Sequence, residues 1–192
     1  MTFFPHKHKN PDLSARIPVL SSRGADGGLQ PFREPFITTD VTGCFGGQGL
    51  YSSMGDYLVF LRSLLSSNNS TLLSPNSIDL LFTPQLNAPQ SQSQLEIFLS
   101  PVGALFIGEF SMSKYRHGWA FGGIIFEENY EDGRRRAGAM SWGGAANCFW
   151  LIDREAGIAL TFGTQVILPG DKRVKEVISV VEKEVYAMAG VN

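Results

Sequence analysis

Hydrophobic residues recur along this chain with two different periods, and the change falls near Trp119. Before it, Leu58, Leu61, Leu64 and Leu65, joined by Phe60, repeat at helical spacing. The pattern predicts a helix that opens at Ser52 or Ser53, either of which can cap it, and ends near Ser66. Ser74-Pro75 reads as an N-cap followed by proline at the first helical position, with a short helix continuing through Ile78, Leu80, Leu81 and Phe82. After Trp119 the apolar segments are short and bounded by turn signals, as strands are. Gly118–Glu127 and Arg135–Ser141 are expected to pair across Asp132-Gly133, and Asn147–Ile152 and Ile158–Thr164 across Asp153–Gly157. Asp171 then caps a last helix. In it Val174, Val177, Ile178, Val181 and Val185 share one stripe, and Gly190 stands where the helix should stop.

Strands that neighbour in sequence imply an antiparallel sheet. The expected fold class is therefore α/β in the broad sense (α+β), an antiparallel sheet flanked by helices. Residues 1–40 scatter Pro5, Pro11, Pro18, Pro31 and Pro35 among Gly24, Gly27 and Gly28, which leaves no room for a long helix. The chain divides into an irregular wrap (1–50), a helical part (51–118) and a sheet with a C-terminal helix (119–192), all in one domain. Within it, residues 84–118 fit helix, strand or packed loop equally well. There is no internal repeat.

Composition narrows the function classes. With 43% hydrophobic residues and 14 Phe among 192, the chain can build a sizeable core. A net charge of −2 argues against a nucleic-acid binder. No run of 18 apolar residues exists to cross a membrane, and no signal-peptide core follows Met1, so a cytoplasmic location is expected. Cys44 and Cys148 read as buried thiols rather than a disulfide framework. Asn68-Asn69-Ser70-Thr71 holds overlapping glycosylation patterns, which without a secretion signal are read as chance.

The candidate chemistry lies in Ser141-Trp142-Gly143-Gly144-Ala145-Ala146-Asn147. Adjacent glycines beside a Trp leave backbone N–H groups uncovered and let a substrate approach, as in the oxyanion holes of serine hydrolases. Other motifs are weaker. Ser111-Met112-Ser113-Lys114 spells a nucleophile–base pair but leads into strand-like sequence, where Ser and Lys lose the shared helical face they need. Tyr51-Ser52-Ser53 imitates a proton-shuttling Tyr motif. His6-Lys7-His8 lacks further ligands for a metal, and His117 lacks a nucleophile elbow to serve. Arg134-Arg135-Arg136 reads as a solvated turn, and the glycines of 43–49 lack the Lys-Ser/Thr ending of a phosphate loop. Trp142 and Trp150 share a sheet face if their strands pair regularly.

Several segments, in order, resemble the C-terminal half of the β-lactamase-related serine hydrolases, a family of class C β-lactamases, D-aminopeptidases, esterases and fungal acyltransferases. They are Met1–Pro5, Gly46–Tyr57 (a glycine-rich lead into a helix), Leu72-Leu73-Ser74 with Leu80–Gln85, and Ser141–Gly144 with Trp150–Asp153. Trp-Gly-Gly in place of Lys-Thr-Gly is closer to the esterase and acyltransferase branch. The resemblance implies acyl transfer from a small-molecule ester, thioester or amide through an acyl-serine, with no cofactor and no metal. It implies that Trp142, Gly143 and Gly144 line the acyl pocket and that the Ala145 N–H is the oxyanion donor. In the family the Ser-x-x-Lys and Tyr motifs precede the segment that matches Met1. The chain alone is therefore expected to lack nucleophile and base, to be inactive, and to self-associate or to need the N-terminal half. Two alternatives stand beside this reading: a non-catalytic acyl-binding or scaffold domain on the same fold, and a rearranged enzyme in which Ser111 is the nucleophile and Lys114 its base.

Overall fold

The computed structural model describes residues 1–4, 7, 11–34, 42–47, 49–66, 72–106 and 114–191. In chain order its helices are α1 (Pro11–Ala15), α2 (Met54–Ser63), α3 (Pro75–Leu81), α4 (Gln92–Phe98) and α5 (Lys172–Met188). Its strands are β1 (Ser21–Arg23), β2 (Leu29–Pro31), β3 (His117–Trp119), β4 (Ile124–Phe126), β5 (Met140–Gly143), β6 (Phe149–Asp153), β7 (Ile158–Phe162) and β8 (Val166–Ile167). The main sheet is antiparallel in the order β3-β4-β5-β6-β7, a continuous meander. It is the α+β architecture with flanking helices that the sequence predicts.

Alternation along β6 and β7 sorts the core into two layers. Phe149, Leu151, Ile158 and Leu160 meet Val174, Ile178 and Tyr186 of α5 on one face. Trp150, Ile152 and Ala159 meet Leu61, Leu64 and Ile78 of α2 and α3 on the other. Caps fix the helix ends. The side chains of Ser53, Ser74 and Asp171 each accept a backbone N–H three residues on. At the far end of α5, Gly190 adopts φ +69, and Gly190 and Val191 donate back to Ala187 and Tyr186. That paired closure needs a residue tolerant of positive φ.

The structure differs from the sequence reading in five places. Gly118–Glu127 is two strands, because the chain reverses at 120–123, where Ala120 N–H donates to Gly123 O at 2.9 Å. Asp132-Gly133 turns the chain, with Gly133 at φ +80, yet does not close a tight hairpin. Residues 127–139 make a wide excursion instead, since Tyr130, Arg134 and Arg135 turn inward and need room. Arg134 and Arg135 are consequently buried rather than solvated; they reach α5 and pair with Glu182. Val177 lies outside the buried stripe, which runs through Val174, Ile178, Glu182 and Tyr186. Finally, the wrap contains a small hairpin, β1 with β2, turned at Gly24–Gly28 and extended by a parallel bridge to β8. Arg23 anchors it to α5 through Asp171, by Nε at 2.6 Å and Nη2 at 2.9 Å.

Candidate active site

The glycine-bearing bend is the loop between β5 and β6. Register places Trp142 opposite Trp150 and Gly143 opposite Phe149. Gly144 N–H then donates to Cys148 O at 3.0 Å, and Asn147 N–H returns to Gly144 O at 2.9 Å. Ala145 and Ala146 are the two central residues of that turn. Their N–H groups have no acceptor among the described residues, as expected of turn centres.

Asn147 makes this turn rigid. Its backbone adopts φ +54, a region that Asn tolerates better than other side chains with a Cβ. Its buried amide is fully used: Nδ2 donates to Val166 O and Leu168 O at 2.6 and 2.9 Å, and Oδ1 accepts from Gly170 and Asp171 N–H at 2.8 and 3.0 Å. One side chain thus ties the bend to β8 and to the start of α5.

The two glycines have different causes. A Cβ on Gly143 would collide with the Phe106 carbonyl and with Cys148 O, so Gly143 is required by close backbone packing. A Cβ on Gly144 would meet no described residue within 4 Å, so that position is open among the described residues. The open side of the bend is therefore Gly144–Ala146, with Gly143 covered. Phe106 also stacks on Trp142, centroids 6.1 Å apart, and Trp119 meets Trp142 edge-on at 4.8 Å. The Trp142 ring packs near Ile124 and Phe126, whereas Trp150 packs toward α2 and α3, so opposed positions send their rings to different clusters. Lys175 of α5 holds the covering segment, donating from Nζ to Ala104 O at 2.8 Å.

The remaining candidates fall elsewhere. Ser111 lies outside the described residues, as do His6, His8 and 67–71. Lys114 is half exposed and paired with Glu131 at 2.5 Å, which raises the pKa of its amine and keeps it protonated, the wrong state for a base. Tyr51 is bound in a backbone bridge to Thr2. His117 is buried, with Nε2 2.9 Å from the Tyr130 hydroxyl; burial, and then the charge of Arg135, lower its pKa to about 4. No cluster of three potential metal ligands occurs among the described residues, and no described helix is long and apolar enough to cross a membrane. Cys44 is exposed, against expectation; Cys148 is half-buried, its thiol directed at Thr164 O.

Comparison with known proteins gives these features a context. The chain matches no protein-family model. It is 31% identical to monacolin J acid methylbutanoyltransferase of Aspergillus terreus over 181 residues, 93% of this chain and 43% of that protein. It is 33% identical to lovastatin esterase of Penicillium rubens over 130 residues, 67% of this chain and 32% of that one. Simvastatin synthase from Aspergillus terreus superposes with TM-score 0.80 at 32% identity, covering 94% of this chain and 45% of its own. A hydrolase with promiscuous acyltransferase activity superposes at 0.55 with 17% identity, a likeness of fold alone. The class so defined is the β-lactamase-like fold, of which this chain corresponds to the C-terminal part. Within that class its relatives are the acyltransferase and esterase branch of the β-lactamase-related serine hydrolases, and the chain spans less than half of their length.

Proposed function

We propose that this chain supplies the acyl-pocket and oxyanion-donor side of a β-lactamase-related acyl-transfer site, acting on small esters or thioesters. The observation that carries the reading is the rigid Gly144–Asn147 turn, with two N–H groups at its tip that have no acceptor among the described residues, and an aromatic wall at Trp142. When a serine attacks an acyl carbonyl, negative charge develops on the carbonyl oxygen. A fixed N–H aimed at that oxygen is worth roughly two to three orders of magnitude in rate. Ala145 N–H has that role here, and Trp142 with Gly144 borders the acyl group. Nucleophile and base come from a separate segment, so the chain alone is inactive. As the carbonyl re-forms, the ester C–O or thioester C–S bond breaks and the alcohol or thiol leaves with the proton taken from the serine. The acyl-serine then passes its acyl group to water or an alcohol and the serine recovers a proton, and both outcomes use the same residues, in keeping with relatives named as transferases and as an esterase.

The test is intact-mass analysis after incubation with a fluorophosphonate and, separately, with an activated short-chain ester. The expected result is no adduct on the isolated chain. A stoichiometric adduct on Ser111 would establish a compact enzyme and overturn the assignment of the nucleophile to another segment.

A further inference from the structure

Two sides of the candidate pocket converge on the start of α5. One is the Gly144–Asn147 turn, whose Asn147 Oδ1 accepts the N–H groups of Gly170 and Asp171 at 2.8 and 3.0 Å. The other is the strap of residues 103–106, a tight helical turn that ends at Phe106. This strap is tied to the same place twice. Lys175 Nζ donates to Ala104 O at 2.8 Å, and the Leu105 side chain lies on Gly170, where a Cβ would come within 2.6 Å of Leu105 Cδ2. Gly170, at φ +89 and with no side chain, leaves Leu105 that seat. Past these two ties comes Phe106, whose ring stacks on Trp142 and whose carbonyl lies over Gly143.

Phe106 thereby closes one end of the pocket. A Cβ at Gly143 has no room against Phe106 O and Cys148 O, so a ligand carbon has none there either. An acyl group laid along Gly144, with its carbonyl at the turn, is stopped by Phe106 after a few carbons. The strap's own hydrogen bonds, Ala104 N–H to Ser100 O and Phe106 N–H to Gly103 O, close its turn without joining it to the sheet. Val102, where it begins, is 65% exposed and buries little. The two ties to α5 therefore place the stop. Of these, the Lys175 bond has an ionised donor, which strengthens it, and it fixes the direction of the Ala104 carbonyl.

We infer that Lys175 is a positioning residue for the acyl pocket: by holding Ala104 O it seats Phe106 against Trp142 and Gly143, and so sets how long an acyl group the pocket admits. The inference rests on the reading under Proposed function, in which this bend borders the acyl group, and adds to it the residue that limits acyl length.

The experiment uses a protein that joins this chain to the nucleophile-bearing part of its relatives, with p-nitrophenyl butanoate and octanoate as probes. kcat and KM are measured for each ester. Kd for each is read from quenching of Trp fluorescence in the same protein with its nucleophilic serine replaced by alanine, where no turnover interferes. Lys175→Met keeps the apolar stem and removes the donor. It should raise the octanoate-to-butanoate ratio of kcat/KM by about tenfold, through KM, with kcat for butanoate near the parent. The Kd values should shift in the same sense. Lys175→Arg retains an ionised donor and should restore the parental ratio, and Lys172→Met, exposed on the same helix, should not move it. A residue that only stabilises the fold would lower the activity on both esters together. An unmoved ratio in Lys175→Met overturns the inference. Should that variant fail to fold, Leu105→Ala, which cuts the second tie, decides in its place and is expected to shift the ratio in the same direction. The two readings fail separately. A shifted Kd ratio in a protein that never acylates sinks the catalytic reading only, acylation with an unmoved ratio sinks the strap only, and no acylation with an unmoved Kd ratio sinks both.

Discussion

The guanidinium of Arg135 donates from Nε and Nη2 to the two oxygens of Glu182, at 2.6 and 2.9 Å, and neither side chain reaches solvent. Arg134 adds a third bond to Glu182 at 3.2 Å and one to Ser179 at 2.7 Å. Phe126, Tyr130 and Phe149 surround the Arg135 guanidinium at 5.4 to 5.7 Å. The 127–139 excursion is thereby locked onto α5, the helix whose start also anchors the candidate site.

Removing one partner of this pair strands the other charge in the core, which costs about 3–5 kcal/mol. Glu182→Gln and Arg135→Met should each destabilise by that order in urea unfolding. The double variant Arg135→Met/Glu182→Leu should recover much of the loss, because it leaves no buried charge from the pair. A double variant as unstable as the sum of the singles would show that the pair contributes packing alone.

His117 makes stability depend on pH. Its folded pKa, lowered to about 4 by burial and by Arg135, lies below the ordinary 6.5. Between the two values the unfolded chain binds the proton and the folded one does not, so stability rises with pH across that window. The displacement corresponds to about 3 kcal/mol lost as pH falls from 6.5 to 4. His117→Gln should flatten that slope, and the His117 ring resonances should titrate near the lower value. Titration near 6.5 would refute the burial argument.

Asp171 acts with the opposite sign of charge and in a lower window. Its pKa is lowered, first by the hydrogen bond from Arg23, below the ordinary 3.8. Its contribution is complete above 3.8 and disappears as pH falls through the folded value. Asp171→Asn keeps a competent helix cap but removes the charge. The stability gap between the two proteins should therefore be constant at neutral pH and close in acid.

Much of the architecture was legible because local signals agreed with one another. Ser74 and Asp171 are caps that sequence alone identifies, the choice between Ser52 and Ser53 falls to Ser53 in the structure, and Gly190 ends α5 where it should. The failures share one cause: tertiary partners outvoted local pattern. Three successive arginines after Asp132-Gly133 read as a solvated turn; Arg134 does pair with the neighbouring Asp132, but Glu182, the partner that takes Arg135 into the core, lies 47 residues away. Val177 fits the helical stripe by spacing, yet the sheet contacts a narrower arc of α5. At the site, the bend itself was visible, whereas the division of labour between its glycines was not, since Phe106 reaches Gly143 from a distant turn. Asn147 carried a local hint, an Asn directly after Gly-Gly-Ala-Ala, a residue that tolerates left-handed backbone.

That division gives a paired prediction. Gly143→Ala must displace the Phe106 carbonyl, and overpacking of this kind costs about 1–3 kcal/mol. Gly144→Ala meets open space at ordinary φ and should cost about 0.5 kcal/mol or less. Trp fluorescence should change in the first variant, where Phe106 leaves Trp142, and not in the second. Equal effects would mean that Phe106 does not cover Gly143 in solution.

The oxyanion role of Ala145 admits a substitution that removes little besides the donor. Ala145 is the first central residue of the Gly144–Asn147 turn, a position where proline is commonly accommodated. Ala145→Pro deletes the N–H, whereas Ala145→Gly keeps it. The Asn147 clamp lies outside the substituted residue and holds the loop in both variants. In a protein that joins this chain to the nucleophile-bearing part of its relatives, Ala145→Pro should lower the acylation rate by roughly two to three orders of magnitude, while Ala145→Gly stays near the parent. Thermal unfolding of the isolated chain should differ little between them. A proline variant that acylates at the parental rate would move the donor to Ala146 or off this turn altogether.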